Sequence, residues 1–143
     1  MSEDTRVTPR LIVSNSIEAI AFYAKAFGAE ELERFTTPEG ATVHAMVRIG
    51  ASDVMLADAD PRWGNTDPTH LGGSTVILSF QCDPDAVCAT AVEHGAEVVI
   101  PVDDRFYGAR EGRIRDPFGH LWILSKPIRD MTPEAIQEGV DEL

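Results

Sequence analysis

Ser16-Ile17-Glu18-Ala19-Ile20-Ala21-Phe22-Tyr23-Ala24-Lys25-Ala26-Phe27-Gly28-Ala29-Glu30 decides the fold, because the chain carries a second version of it at an offset of 67 residues. The second version begins Asp83-Pro84-Asp85-Ala86-Val87 and ends Gly95-Ala96-Glu97, so that Glu18 answers to Asp85, Ala19 to Ala86, Ala24 to Ala91, and Gly28-Ala29-Glu30 to Gly95-Ala96-Glu97. Each copy reads as a helix. Ser16 or Asp83 offers an N-cap oxygen, apolar residues recur at three and four, and Gly28 or Gly95 offers a left-handed C-terminal cap.

The same offset lays Leu11 and Val13 on Leu78 and Phe80, and Val54-Met55-Leu56-Ala57-Asp58 on Leu121-Trp122-Ile123-Leu124-Ser125. Each half therefore reads strand, helix, then three strands. In the first half strands are expected near 7–13, 31–36, 41–49 and 53–58, with Pro38-Glu39-Gly40 as a hairpin turn. In the second they are expected near 75–81, 97–102, 111–115 and 120–125, with Asp116-Pro117-Phe118-Gly119 turning the last hairpin.

The fold class expected is thus α+β, two tandem βαβββ modules forming a curved-sheet cleft, plus a C-terminal helix. Within a single domain over 1–143, module one spans 6–59, a linker 60–73, module two 74–127 and the helix 131–142. The linker, from Asp60-Pro61-Arg62-Trp63-Gly64 to His70-Leu71-Gly72-Gly73, is too rich in Pro and Gly for a regular element and suits a lid. In the tail, Thr132 caps, Pro133 opens the first turn, and Ile136, Val140 and Leu143 share a face.

At 143 residues, with 43% hydrophobic and 25% charged residues, the chain suits one soluble domain with no need of a disulfide. No apolar run approaches a membrane span, and Met1–Arg6 is polar and acidic without the apolar core of a signal peptide, so a cytoplasmic location is expected. A formal net charge of −12 disfavours nucleic acid and anionic membranes as partners. Cys82 and Cys88 match neither a zinc site nor a redox pair and read as buried thiols.

The tandem units, with Ala19-Ile20-Ala21-Phe22-Tyr23, Phe27-Gly28-Ala29-Glu30, Phe106-Tyr107-Gly108 and Asp116-Pro117-Phe118-Gly119-His120-Leu121-Trp122, resemble the vicinal-oxygen-chelate superfamily of glyoxalases, bleomycin-resistance proteins and extradiol dioxygenases. The likeness runs from about Val7 to Pro127, and Asp130-Met131-Thr132-Pro133-Glu134 looks like its phosphonate-operon-associated, glyoxalase-like subgroup. The resemblance implies cupped sheets, a small organic ligand in the cleft and a homodimer. It also implies one divalent metal held by His, Gln or Glu on the first and last strands of the modules, acting as a Lewis acid.

Laid residue by residue on this chain, those ligand positions fall on Thr8, Leu56, Val76 and Ile123. A hydroxyl and three aliphatic side chains are poor ligands, so no metal and no cofactor is expected.

Other residues must then carry a function. Along one strand Thr42, His44, Met46 and Arg48 alternate with Val43, Ala45 and Val47, and one of the two sets faces the cleft. If it is the first, His44 can shuttle a proton; if not, it is a structural or solvent-facing histidine. Asp103-Asp104-Arg105-Phe106-Tyr107-Gly108-Ala109-Arg110-Glu111-Gly112 reads as a flexible hairpin that gathers aromatic and guanidinium groups. Its plain alternative is a surface hairpin with an Arg–Asp pair.

Trp63, Trp122 and Met55 can wall a pocket, with Trp122 equally suited to the core. The candidates are accordingly His44, Tyr107 and Arg110 for catalysis, and Arg48, Met55, Trp63, Phe106 and Trp122 for ligand binding. His70, His94 and His120 read as exposed, capping and structural, and Asp58 and Asp60 as ordinary solvated acids. Two functions fit: a metal-free protein that sequesters a ligand or antibiotic, and a metal-independent isomerase, lyase or cyclase in which His44 or Tyr107 moves a proton beside Arg110.

Overall fold

The computed structural model describes residues 4–143. The chain is α+β and repeats one plan: β1 (Arg10–Val13), α1 (Ser16–Phe27), β2 (Glu30–Thr36), β3 (Thr42–Ile49) and β4 (Ser52–Asp58), then β5 (Ile77–Gln81), α3 (Pro84–Glu93), β6 (Glu97–Asp104), β7 (Ala109–Arg115) and β8 (Leu121–Pro127). Between the two sets lies the short helix α2 (Pro68–Leu71), and α4 (Pro133–Asp141) ends the chain. The sheets are mixed and ordered β1-β4-β3-β2 and β5-β8-β7-β6, with β1 parallel to β4 and β5 parallel to β8. No helix among the described residues is long and apolar enough to cross a membrane.

By its contacts the chain forms two compact units, one of residues Met1–Thr75 with Pro117–His120, the other of Val76–Asp116 with Leu121–Leu143. In the first unit α1 covers one face of its sheet. Leu11 of β1, Ala45 of β3 and Leu56 of β4 lie side by side in register, and all are buried. Tyr23 of the helix is fully buried and stacks on Phe27 with ring centroids 5.6 Å apart. Phe118, from the Asp-Pro-Phe-Gly turn, meets the Phe22 ring edge-on at 6.3 Å.

The helix starts one residue earlier than the pattern predicts. Asn15, in extended conformation, is the N-cap and its side chain accepts from the Glu18 amide, which leaves Ser16 inside the first turn and fully buried. The left-handed cap at Gly28 is as expected, with φ 69°. In the second unit Asp83 caps α3 through the Ala86 amide, and the helix closes at His94, one residue before Gly95. That helix carries small side chains, so its sheet has a slighter core around Ile114, Trp122 and Leu124.

Two further expectations need correction. The linker holds regular structure after all: Asp60 caps a 3-10 turn over Pro61–Trp63, Asp67 precedes α2, and Gly64 and Gly72 end the two turns in left-handed conformation. Pro at the first turn costs no hydrogen bond, which is why a Pro-rich stretch can do this. The loop of the long hairpin is also shorter than expected. β6 and β7 run on to Asp104 and from Ala109, which leaves a tight turn closed by the Arg105 amide on the Ala109 carbonyl at 2.8 Å.

Candidate functional site

Each sheet has a helix-covered face and an open face, and period-two alternation assigns every strand residue to one of them. On β3 the residues Ala45, Val47 and Ile49 are buried beneath α1, so His44, Met46 and Arg48 stand on the open face. Met55 joins them from β4, directly across from Met46 and beside Arg10 of β1.

His44 is held from three sides. Arg10 Nη2 lies 3.4 Å from its Nδ1, Glu33 Oε1 lies 3.6 Å from its Nε2, and the Phe35 ring stacks at 5.8 Å. A guanidinium has only donors, so Nδ1 must be the acceptor and the ring proton of the neutral form sits on Nε2, facing Glu33. Arg48 is tied to Asp53 at 3.1 Å.

In the second unit Gly112, Ile114, Trp122 and Leu124 face α3, which leaves Glu111 and Arg113 of β7 and Ile123 and Ser125 of β8 on the open side. Here lies a recess with two adjoining lobes. The first, of about 220 Å³, is lined by Ile100, Arg105, Tyr107, Glu111, Gly112, Arg113 and Ile123. The second, of about 370 Å³, is lined by Ser79, Gln81, Tyr107, Gly108, Ala109, Ser125, Pro127 and Arg129, so Tyr107 stands in both.

A proline shapes the first lobe. Pro101 has no amide hydrogen to give the ladder, and the β6–β7 register slips between Ile100 and Asp103. Gly112 opposite accepts the crowding, since a Cβ there would come within 2.9 Å of the Val102 nitrogen and 3.0 Å of the Ile100 carbonyl. The displaced Pro101 carbonyl accepts from Arg105 Nη2, and Arg105 Nε donates to the Glu111 carbonyl at 3.1 Å.

The Tyr107 hydroxyl donates to the Glu111 carboxylate. Burial, then that carboxylate, push its pKa up to about 12. The turn is held in place from the C-terminal side. A Cβ on Gly108 would strike the Arg129 carbonyl at 2.7 Å, and one on Gly139 of α4 would strike the Phe106 ring at 2.2 Å.

Of the residues singled out from the sequence, His44, Arg48 and Met55 share the open face of the first sheet, and Tyr107 lines the recess of the second. Arg110 does not join Tyr107. It lies on the helix-bearing side, where its guanidinium binds Asp85 of α3 and Asp104 of β6, and both contacts raise its pKa. Trp122 is buried in the core, with Nε1 donating to Asp116 Oδ2 at 2.9 Å. Phe106 packs on α4, and Trp63 is 69% exposed at the end of its turn.

Nor are Asp58 and Asp60 merely solvated. Asp58 accepts from the Ser16 and Thr42 amides, and Asp60 binds Arg62 and caps its turn. Residues the pattern analysis passed over, Arg10, Glu33, Glu111 and Arg113, stand on the open faces. The alternation Glu111-Gly112-Arg113-Ile114 was the signal that could have found the last two.

The four positions aligned with the family's metal ligands fare unevenly. Leu56 is fully buried against α1, while Ile123 is on an open face, so they are not equivalent. The buried partner of Leu56 is Leu124, because each pairs with the core position of its neighbouring strand, Ala45 or Gly112. One residue gained in the turn between β7 and β8 explains the slip, and Met55 takes the open-face place. Thr8 and Val76 precede β1 and β5. A thioether, a hydroxyl and aliphatic groups do not fit a divalent transition metal. Among the described residues no three His, Cys, Asp or Glu side chains cluster so as to hold one.

Comparison with known proteins gives the same architecture a family. An uncharacterized protein of Mycobacterium bovis is 40% identical over 135 residues, covering 92% of this chain and 89% of its own. The crystal structure of an Arabidopsis thaliana gene product superposes with a TM-score of 0.67 at 25% identity, over 85% of this chain and 98% of that one. TioX from Micromonospora sp. ML1 superposes with a TM-score of 0.65 at 25% identity, over 90% and 100%. The profile of one superfamily matches residues 6–124, and on that match the chain belongs to the Glyoxalase/Bleomycin resistance protein/Dioxygenase superfamily.

Proposed function

We propose that this chain is a small-molecule-binding member of its superfamily that holds a ligand, an antibiotic or another organic molecule, without the family's metal. The observation that carries the reading is the recess on the second sheet, where apolar Ile100 and Ile123 meet Tyr107, Glu111 and two arginines in one concave surface. An apolar recess with a few convergent polar groups is enough to bind without chemistry. Tyr107 supports binding over turnover, because a hydroxyl with its pKa near 12 and a carboxylate partner is a poor proton shuttle at neutral pH. The tail Asp130–Glu134 and the Asp-Pro-Phe-Gly turn support placing the chain in the phosphonate-operon-associated subgroup. The reading extends to a cytoplasmic homodimer, which light scattering of the purified chain tests.

A second reading, a metal-independent isomerase, lyase or cyclase, is favoured by His44 alone, whose Nε2 faces Glu33 on an open sheet face. The deciding experiment is mass spectrometry of small molecules extracted from natively purified protein, followed by incubation of the bound compound with fresh protein. Return of the compound unchanged, with affinity indifferent to a chelator, supports sequestration. Stoichiometric conversion of it, or one tightly held transition metal per chain, overturns the proposal.

A further inference from the structure

We infer that the recess of the second unit is an anion site, and that its ligand is an organic acid with an apolar body and a polar far end. The inference rests on the ligand-binding reading above and adds the chemical class.

Charge is the first argument. The chain carries 24 acidic and 12 basic side chains, so a basic pocket within it runs against the average. Arg34, Arg48, Arg62, Arg110 and Arg115 each hold a carboxylate in an ion pair. The arginines of the recess are engaged differently. Arg105 donates to the carbonyls of Pro101 and Glu111, and Arg129 to those of Arg105 and Phe106, bonds that fix the guanidinium without neutralising it. Arg113 has its Nε buried with no hydrogen-bond partner. Three cations thus line the two lobes against one carboxylate, Glu111, which already accepts from Tyr107.

Arg113 lines the recess half-buried, and among the described residues it holds no carboxylate in an ion pair, so its guanidinium offers an incoming oxyanion a charge-assisted bond. Arg113 lies between Ile100 and Ile123 in register, so an acid bound there has aliphatic walls on both sides. Past Tyr107 the second lobe offers Ser79, Gln81 and Ser125, which suit a hydroxyl or amide at the far end of the ligand. Glu111 sets the polarity: its charge repels an acid from the Tyr107 side and leaves the Arg113 side for it.

Cinnamate and its uncharged isostere cinnamamide test this by titration calorimetry on the intact protein. Cinnamate is expected to bind at least tenfold more tightly than cinnamamide, to weaken as salt rises, and to lose that advantage in Arg113→Met while keeping part of it in Arg113→Lys. Glu111→Gln is expected to tighten cinnamate binding several-fold. Equal binding of the two probes by the wild-type chain overturns the anion site while leaving a small-molecule recess intact. Failure of cinnamate to bind overturns this ligand class. Unchanged cinnamate affinity in a folded Arg113→Met variant overturns the role given to that side chain.

Discussion

Arg110 binds Asp85 with both arms of its guanidinium, Nε to Oδ2 at 2.7 Å and Nη2 to Oδ1 at 2.9 Å, and so joins β7 to the first turn of α3. Its remaining nitrogen Nη1 reaches Asp104 Oδ1 at 2.9 Å. Bidentate geometry is the case in which an exposed ion pair contributes to stability. Arg110→Ala is therefore expected to lower the melting temperature modestly, and less at high salt, while leaving small-molecule affinity at the recess unchanged. Asp85→Asn should reproduce most of the loss, and the double variant should add little to either. A calorimetric melt series across salt concentrations checks this; additive losses in the double variant would contradict the pairing.

That residue also shows where sequence reading stops. The hairpin composition brought Arg110 and Tyr107 together as chemistry, but they are three apart on one strand-and-turn, and the alternation of β7 sends Arg110 to the helix side. The repeat fixed the element order because caps and periodicity are local. The facing of Leu56 and Ile123 was not fixed, because a constant offset of 67 carried past the β7–β8 turn inverts a strand's faces after the one-residue gain there. His44, which alternates along β3 with the buried Ala45 and Val47, could be placed once the helix-covered face was known. Its contacts with Arg10 and Glu33 come from other strands, and no local pattern announces them.

Tyr107 gives the pH prediction. Burial is the larger cause of its raised pKa and Glu111 the next, so the difference spectrum between wild type and Tyr107→Phe should show a phenol titrating at about 12. In Glu111→Gln the value should fall only part of the way to the ordinary 10.0, since burial remains. The folded protein holds this proton more tightly than the unfolded chain. The associated stability is intact below the unfolded pKa and is lost as pH rises through the folded one. Urea melts at stepped alkaline pH should show a decline that is smaller in Tyr107→Phe.

The thiols should be sluggish. Burial raises the Cys82 pKa to about 11 and that of Cys88 in the same direction. A shift of two units leaves about a hundredfold less thiolate at neutral pH than a free cysteine has. Maleimide labelling of Cys82 in the native chain should be slower than that of free cysteine by about this factor, labelling of Cys88 should also be slowed, and in urea both should react to give two groups per chain. Rapid native labelling would show that the shielding is absent.

Asp58 closes the first unit. As the last residue of β4 it accepts from the Ser16 amide with Oδ1 at 2.8 Å and from the Thr42 amide with Oδ2 at 2.9 Å, so one carboxylate joins the start of α1, the start of β3 and the end of β4. Both amides belong to fully or nearly buried residues, at 0% and 2% exposure, where an unmet donor finds no water. Removal should cost about 1–3 kcal/mol for each amide left unmet. Asp58→Ala is thus expected to destabilise the chain strongly, and Asp58→Asn by roughly half as much, because the amide keeps one acceptor and turns a donor toward the other N–H. Hydrogen exchange at the Ser16 and Thr42 amides reads the two bonds separately. In Asp58→Asn one amide should remain protected while the other exchanges quickly, and equal protection of both would show that the bonds are not carried by this side chain.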